Sequence, residues 1–382
     1  MRRTIFHDEH ESVRALAKEF AETEVAPYLD DWGKAGIVDR SLYRKAGAAG
    51  LLGMNLPDKY GGGGIDDFRY NVVLDEELTR VGGSAVYMGI GGFNDLCGPY
   101  FGEFADDEQK ARWLPGLCAG ELICAVAMTE PGTGSDLAGI RTTARRDGSD
   151  FVVKGAKTFI SNGINADLVI VAAKTDPDAG SKGLSLLVVE RDMPGFERSR
   201  TLDKIGLHAQ DTAELFFDNV RVPAANVLGE RGQGFGYLRH NLVRERLSIA
   251  VNSATSMEVA LQEALTYTRE RKAFGQRIAD FQATRFTLAE LATQVQVARV
   301  FLDQCILEHV EGLLTETEAA MAKWYITEVQ QEVVSKALQL HGGYGFMKEF
   351  PVAREFVDAR VSTLYGGTTE IMKEIIGRSL TR

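Results

Sequence analysis

Cysteine is scarce in this chain of 382 residues, which has only Cys97, Cys118, Cys124 and Cys305. None of them has CxxC spacing or a histidine partner, which excludes the usual sequence patterns of zinc sites and redox dithiols. We therefore expect four buried free thiols in a protein of a reducing compartment.

Long apolar runs are also missing. No stretch approaches the roughly 18 residues that a membrane-spanning helix needs. Residues 1–4 are followed by acidic and polar residues rather than by the apolar core of a secretory signal. These features predict no leader, no membrane insertion and a cytoplasmic location.

Positive charge is in deficit. Lysine and arginine total 43 against 54 aspartates and glutamates, a net charge of −11. Nucleic acids and anionic membranes attract proteins through a positive field, so neither is expected as a partner. A local basic site for a phosphorylated ligand remains compatible with this balance.

Proline is absent from residue 225 to residue 350, which permits long uninterrupted helices. Apolar residues recur there at helical spacing over about 237–270, 281–311 and 315–340. Segments of these lengths are typical of a helical bundle.

Three regions follow from the pattern of apolar residues. Residues 1–120 are mainly helical, and residues 121–230 contain short β-branched runs separated by Gly, Asp and Asn turns, as in a β-domain. Residues 231–382 contain the long helices. We predict an α+β fold with an N-terminal α-helical domain, a middle β-domain and a C-terminal domain like a four-helix bundle.

Glycine, by contrast, is abundant, and two pairs stand out near the end of the chain. One pair closes the segment QLHGG at 339–343, and the other lies in YGGTTE at 365–370, directly before a helical pattern. Glycine lets a backbone approach a ligand closely, and a helix N-terminus offers free N–H groups to an anion or a polarised carbonyl.

Three further segments carry polar groups suited to a cofactor. The turn MTEPGTGSD at 128–136 presents hydroxyls and backbone N–H groups, and the strand KTFISNG at 157–163 places an aromatic ring and a hydroxyl on one face. Arginines at 269–276 could clamp a pyrophosphate. Read alone, these segments are more typical of a β-turn, of core packing and of a capped, solvated helix end, respectively.

Taken together and in order, these segments resemble the acyl-CoA dehydrogenases over almost the whole chain. The resemblance implies the three-domain α, β, α fold and FAD as cofactor. Around the flavin, the resemblance implies contacts from Met128, Thr129, Gly134, Ser135, Phe159, Ile160 and Ser161. At the pyrophosphate and adenosine it implies Arg271, Phe274 and Gln282, which would come from a neighbouring subunit together with Gln339, Leu340, His341, Gly342 and Gly343. Thr368 and Glu370 are implied as a further cofactor contact region.

The catalytic base departs from the commonest family pattern. Most members carry a glutamate after the motif tyrosine Tyr365, but this chain has Gly366. Long-chain and isovaleryl-type members instead carry the glutamate on a helix directly before an arginine, a pattern that Glu245 and Arg246 match. The resemblance, closest to the long-chain type, therefore implies that Glu245 is the base, although its local sequence alone indicates a solvated charge cluster.

Burial should raise the pKa of Glu245 and make it a stronger base, provided that Arg246 points elsewhere. The positions implied for substrate contact are Ser135, Arg246, Tyr365, Gly366 and Gly367. No metal site is expected, because His341 has no partner at metal spacing.

The implied reaction is FAD-dependent α,β-dehydrogenation of a medium- to long-chain acyl-CoA, straight or branched, to the trans-2-enoyl-CoA. The implied setting is fatty acid β-oxidation in a homotetramer that passes electrons to an electron-transfer flavoprotein. Three alternatives stay open: an acyl-CoA oxidase, another flavoenzyme of this fold, and a catalytically silent flavin-binding homologue. The sequence leaves chain length, branching, pathway, electron acceptor and any second base undecided.

Overall fold

The first part of the chain is helical, as expected. The computed structural model describes residues 1–381, and its N-terminal helices are α1 (Asp8–Phe20), α2 (Leu29–Ala35), α3 (Arg40–Ala48), α4 (Arg69–Arg80), α5 (Ser84–Gly92), α6 (Gly98–Phe104) and α7 (Asp107–Cys118). A π-helical turn, Phe93–Cys97, joins α5 to α6. Such turns widen the helix locally and often occur at functional sites.

The middle of the chain forms one eight-stranded sheet. Its strands are β1 (Cys124–Ala127), β2 (Thr143–Asp147), β3 (Asp150–Ser161), β4 (Leu168–Lys174), β5 (Leu184–Glu190), β6 (Phe196–Arg198), β7 (Thr212–Pro223) and β8 (Val227–Leu228). The order is β6-β7-β3-β2-β4-β5-β8, with β1 pairing in parallel with β4. The strand predictions are thus confirmed in their main runs, and the short strands β2, β6 and β8 were missed.

Both faces of the central strands are covered, which explains their continuous apolar runs. On β4, Ile170 and Ala172 belong to the core shared with the N-terminal helices, whereas Val169 and Val171 face a second core inside the β-domain. Alternate residues of a strand point to opposite faces, so a strand buried on both sides lacks polar alternation.

The last part of the chain is a helical bundle. It consists of α8 (Gly234–Glu270), the hairpin strands β9 (Lys272–Ala273) and β10 (Gln276–Arg277), then α9 (Gln282–Val310), α10 (Glu316–Leu340), α11 (Pro351–Ala359) and α12 (Thr369–Leu380). The three long predicted helices are confirmed within about three residues at each end. Thr315 caps α10 in a capping box with Glu318, and Thr368 caps α12.

Helix α8 joins the N-terminal helices to the bundle. Its residues Leu247, Ala250 and Val251 share one core with Val72 of α4 and Leu291 of α9. The buried face of α8 therefore lies between the two helical units and next to the sheet, and this junction holds the candidate site.

All four cysteines are buried free thiols, as predicted. Among residues 1–381, no helix combines the length and the apolar character needed to cross a membrane.

Candidate active site

A cavity of about 810 Å³ opens where the sheet, the α5–π-turn segment, helix α8 and the loop before α12 meet. It brings together most of the residues predicted around the flavin and the substrate. Those lining it are Met128, Thr129, Gly134, Ser135, Phe159, Ile160, Ser161, Glu245, Arg246, Tyr365, Gly366, Gly367 and Thr368.

The turn after β1 is held rigidly against β3. The Glu130 carboxylate accepts hydrogen bonds from the backbone N–H groups of Arg141 and Thr142, at 2.7 and 2.9 Å, and from Lys157 Nζ at 2.9 Å. The N–H of Thr158 donates to the carbonyl of Thr129 at 2.9 Å. These bonds fix the hydroxyl of Thr129 at the cavity wall.

Phe159 is not a core residue. It lies at a register shift of the β3–β7 ladder, has a left-handed φ of 59°, and leaves 69% of its surface exposed. A bulky residue with positive φ is uncommon and stores strain, a feature that often marks functional sites. The core-packing interpretation of this strand is therefore wrong at Phe159.

These groups fit a flavin. An uncovered aromatic ring stands beside the hydroxyls of Ser161 and Thr129, which suits a flat aromatic ligand with a polar edge. A Cβ on Gly134 would meet no atom within 4 Å, so the backbone of this turn is open to a ligand.

The Gly366-Gly367 loop is held by two buried cations. Arg246 Nε donates to the carbonyl of Gly366 at 3.3 Å, and Lys323 Nζ donates to the carbonyl of Gly367 at 2.7 Å. Both glycines have positive φ, 64° and 98°. Within residues 1–381 the N–H groups of the two glycines bond no acceptor, so both are free to donate to a ligand carbonyl.

Glu245 meets the requirements of a general base. It lines the cavity, and within residues 1–381 its buried Oε2 has no hydrogen-bond partner. Burial raises its pKa to about 7, against the opposing charges of Arg246 and Lys323. A Cβ on Gly366 would lie 3.8 Å from Glu245 Oε1. The two positions at which family members carry the base thus converge on one point of the cavity.

The prediction that Arg246 points away from Glu245 needs a qualification. Its guanidinium lies 3.6 Å from Glu316 Oε1 and bonds the carbonyl of Gly366, yet its charge still opposes the rise in the pKa of Glu245. Burial is the larger effect, so the carboxyl remains a stronger base than in water.

Lys323 is the site residue that sequence reasoning missed. Its side chain is fully buried on α10, in a segment with the buried residues Ala319, Ala322 and Ile326. A lysine on an apolar helix face was the signal available in the sequence, because lysine is rarely buried without a partner.

The remaining predicted cofactor residues lie outside this cavity. Arg271, Leu340, His341, Gly342 and Gly343 line a second cavity of about 450 Å³. There the buried imidazole of His341 stacks on Tyr267 and contacts the carbonyl of Ala337 through Nδ1 at 2.8 Å.

Four predicted cofactor residues line neither cavity. Phe274 projects from the tip of the β9–β10 hairpin with 95% of its surface exposed, and Gln282, Gln339 and Glu370 are also exposed. A single chain therefore brings together only the flavin-side half of the predicted cofactor contacts.

Comparison with known proteins matches three consecutive parts of the chain to family models. The N-terminal domain of acyl-CoA dehydrogenases matches residues 7–121, the middle domain matches residues 125–220, and the C-terminal domain matches residues 232–381. Together these models cover most of the chain in the order that the structure shows.

Individual relatives agree in fold but differ in named activity. The mitochondrial long-chain specific acyl-CoA dehydrogenase of Sus scrofa is 45% identical over 380 residues, which cover 99% of this chain and 88% of the pig protein. The crystal structure of an acyl-CoA dehydrogenase from Geobacillus kaustophilus has a TM-score of 0.97 and 50% identity, with 100% of both chains covered. A 3-(aryl)acrylate reductase of Clostridium sporogenes is 35% identical over 99% of this chain and 100% of that protein.

Proposed function

The chain belongs to the acyl-CoA dehydrogenase family, whose members depend on FAD, and we propose that it oxidises a medium- to long-chain acyl-CoA. The product is the trans-2-enoyl-CoA, and the acyl chain is straight or branched. The 45% identity to a long-chain relative and the Glu245-Arg246 pair support this substrate class.

One observation carries the proposal. Glu245 places a carboxylate with a raised pKa and an unpaired oxygen at the wall of the cavity that also holds the flavin-side residues. An ordinary solvated glutamate is too weak a base for a carbon acid, and this one is strengthened by burial.

The loop residues supply the second requirement of the reaction. A free N–H of Gly366 or Gly367 donates to the thioester carbonyl and stabilises the negative charge that develops as Glu245 takes the α-proton. Arg246 and Lys323 keep this loop in place through its carbonyls. FAD, when bound, accepts the β-hydrogen as a hydride and so removes two electrons from the substrate.

The proposal includes a homotetramer in which a neighbouring subunit completes the cofactor site. Support comes from the exposed Phe274 and from Arg271, which lines the second cavity and not the first. It also includes an electron-transfer flavoprotein as acceptor, a cytoplasmic location and a role in fatty acid β-oxidation. The four buried free thiols support a reducing compartment.

The test is a panel of acyl-CoAs of increasing chain length, straight and branched, mixed anaerobically with the yellow holoenzyme. Bleaching of the flavin by saturated acyl-CoAs, with turnover on an artificial acceptor, is the expected result. No bleaching by any member would indicate the silent homologue, and rapid O2 consumption without the acceptor would indicate an oxidase.

A further inference from the structure

Beyond Glu245 the cavity wall becomes polar. Ser248 and Asn252 follow Glu245 by three and seven residues, so all three lie on one face of α8. Tyr87 and Asp95, from α5 and the π-helical turn, complete this part of the wall. All four side chains are at least nine-tenths buried, and we call them the distal polar wall.

An acyl chain meets this wall if it runs inward from Glu245. The N-terminal turns of α8 include the exposed Arg239, whereas α8 is buried without interruption from Arg246 to Met257. Ser248 lies about 4.5 Å and Asn252 about 10.5 Å beyond Glu245 along the helix. An extended acyl chain advances by about 1.25 Å per carbon. If C2 lies at Glu245, Ser248 therefore lies beside roughly C6 and Asn252 beside roughly C10.

The Asp95 carboxylate is fully occupied by protein donors. It accepts from Asn71 Nδ2 at 2.6 Å, from Ser248 Oγ at 2.8 Å, from the Tyr87 hydroxyl, and from Arg244 Nε at 3.5 Å. A carboxylate offers about four lone-pair sites, so Asp95 has no capacity left for a ligand.

The hydroxyls of Tyr87 and Ser248 consequently face the cavity as acceptors only. Each hydroxyl has a single proton, and each proton is used within the cluster, either on the Asp95 carboxylate or on the other hydroxyl 2.9 Å away. Their remaining lone pairs are available.

Asn252 presents the same kind of group further inward. Its amide nitrogen donates to Asp75 Oδ1 at 2.9 Å and to Thr79 Oγ1 at 2.7 Å, and its amide oxygen takes no donor within residues 1–381. It also borders a cavity of about 10 Å³, the size of a single water, whose other polar lining includes Ser84 and Ser256. Within residues 1–381, the four residues of the distal polar wall therefore offer acceptors to a ligand and no free donor.

From this arrangement we infer that the preferred substrate is an acyl-CoA bearing a hydroxyl group on the distal half of its chain, about C6 to C10. A hydroxyl donates its proton to the acceptors of the distal polar wall, an apolar chain leaves them unpaired, and a terminal carboxylate adds only further acceptors beside Asp95. This inference rests on the proposed function and narrows its substrate class.

The test compares three substrates of one length on the holoenzyme: decanoyl-CoA, its 6-hydroxy analogue, whose hydroxyl lies beside Ser248 and Tyr87, and decanedioyl-CoA. The initial rate of flavin bleaching gives kcat/KM for each. We expect kcat/KM for the hydroxy analogue to be about tenfold higher than for decanoyl-CoA, which is the effect of one or two added buried hydrogen bonds. Decanedioyl-CoA should have the lowest kcat/KM of the three. Equal or lower kcat/KM for the hydroxy analogue, or a preference for decanedioyl-CoA, would overturn the inference alone. Absence of bleaching by all three would overturn the proposed function as well.

Two variants locate the effect. Ser248→Ala should bring the ratio of the hydroxy to the plain substrate close to one, whereas Ser253→Ala should keep it, because Ser253 is buried on the same helix but lies outside the cavity. If Ser248→Ala does not fold, Tyr87→Phe makes the same prediction. An unchanged ratio in the folded variant would contradict the assignment to this wall.

Discussion

Glu245 owes its base strength to its surroundings. Its carboxyl is buried beside two cations that do not bond it, so burial dominates and the pKa rises from 4.5 to about 7. A carboxyl group with this pKa is ionised in about half of the protein molecules at neutral pH. Its carboxylate still binds a proton more strongly than an ordinary carboxylate does, and general-base catalysis requires both properties.

The pH dependence follows from this pKa. Only ionised Glu245 can take the α-proton, so kcat/KM should rise with pH, pass half-maximum near pH 7 and level off above it. A profile flat from pH 5 to pH 9, measured with a substrate that does not itself titrate, would contradict the assignment.

Stability should respond in the opposite sense. Because the folded pKa of Glu245 lies above its ordinary value of 4.5, folding binds a proton in this interval, and stability falls as pH rises from about 4.5 through about 7. The loss is on the order of 3 kcal/mol. Glu245→Gln should therefore raise the melting temperature at pH 8 and leave it nearly unchanged at pH 4.5.

Lys323 offers a second test at this scale. Replacing it by methionine removes the bond to the Gly367 carbonyl, so the loop N–H groups lose their position and kcat should fall about tenfold. Loss of this cation should also shift the pH profile upward, which a purely structural defect would not do. Lys336→Met, at a partly exposed position on the same helix that lines neither cavity, should change neither quantity.

At the level of elements, the sequence predicted those helices and strands whose formation is determined by their own residues. The long helices α8, α9 and α10 follow from their periodicity and from the absence of proline, so their limits were predicted closely. Strand β2 was missed because its residues, TARRD, lack an apolar run although the strand lies inside the sheet.

The distal polar wall depends on contacts between distant parts of the chain. Asp95 and Ser248 are 153 positions apart, and nothing in the local sequence of either indicates the other. The convergence of Glu245 on Gly366 was accessible only through the family resemblance, because each residue alone is typical of a solvated helix face or a turn.

The β9–β10 hairpin carries a prediction of its own. Its tip, Phe274-Gly275, has positive φ at both residues, the geometry of a tight two-residue turn that projects Phe274 outward. Arg271→Ala removes a forked cation at the second cavity, and we expect faster loss of FAD on dilution or heating. Arg277→Ala, on the same hairpin but paired with Asp280, is the control. Full FAD retention in Arg271→Ala would place the clamp elsewhere.

In the proposed assembly, one chain alone does not form a complete cofactor site. The predicted cofactor contacts are divided between two cavities and an exposed hairpin, and we propose that a second copy brings them together. The proposed homotetramer, a closed assembly of four chains of 41.9 kDa, would have a mass of about 168 kDa. Light scattering of the yellow protein measures this mass directly, and a fully flavin-loaded monomer would contradict the shared site.

The central claim is that Glu245 removes the α-proton, and the most direct measurement is the rate of flavin reduction by an acyl-CoA under single-turnover conditions. Glu245→Gln keeps the side-chain volume but cannot accept a proton, so this rate should fall by 10²- to 10⁴-fold while FAD content and substrate binding stay near normal. Adding Gly366→Glu should restore part of the rate, because a side chain there starts 3.8 Å from the Glu245 carboxylate, although it must displace Ile249 Cδ1. Near-native flavin reduction in Glu245→Gln would contradict the account and assign the base to another carboxylate.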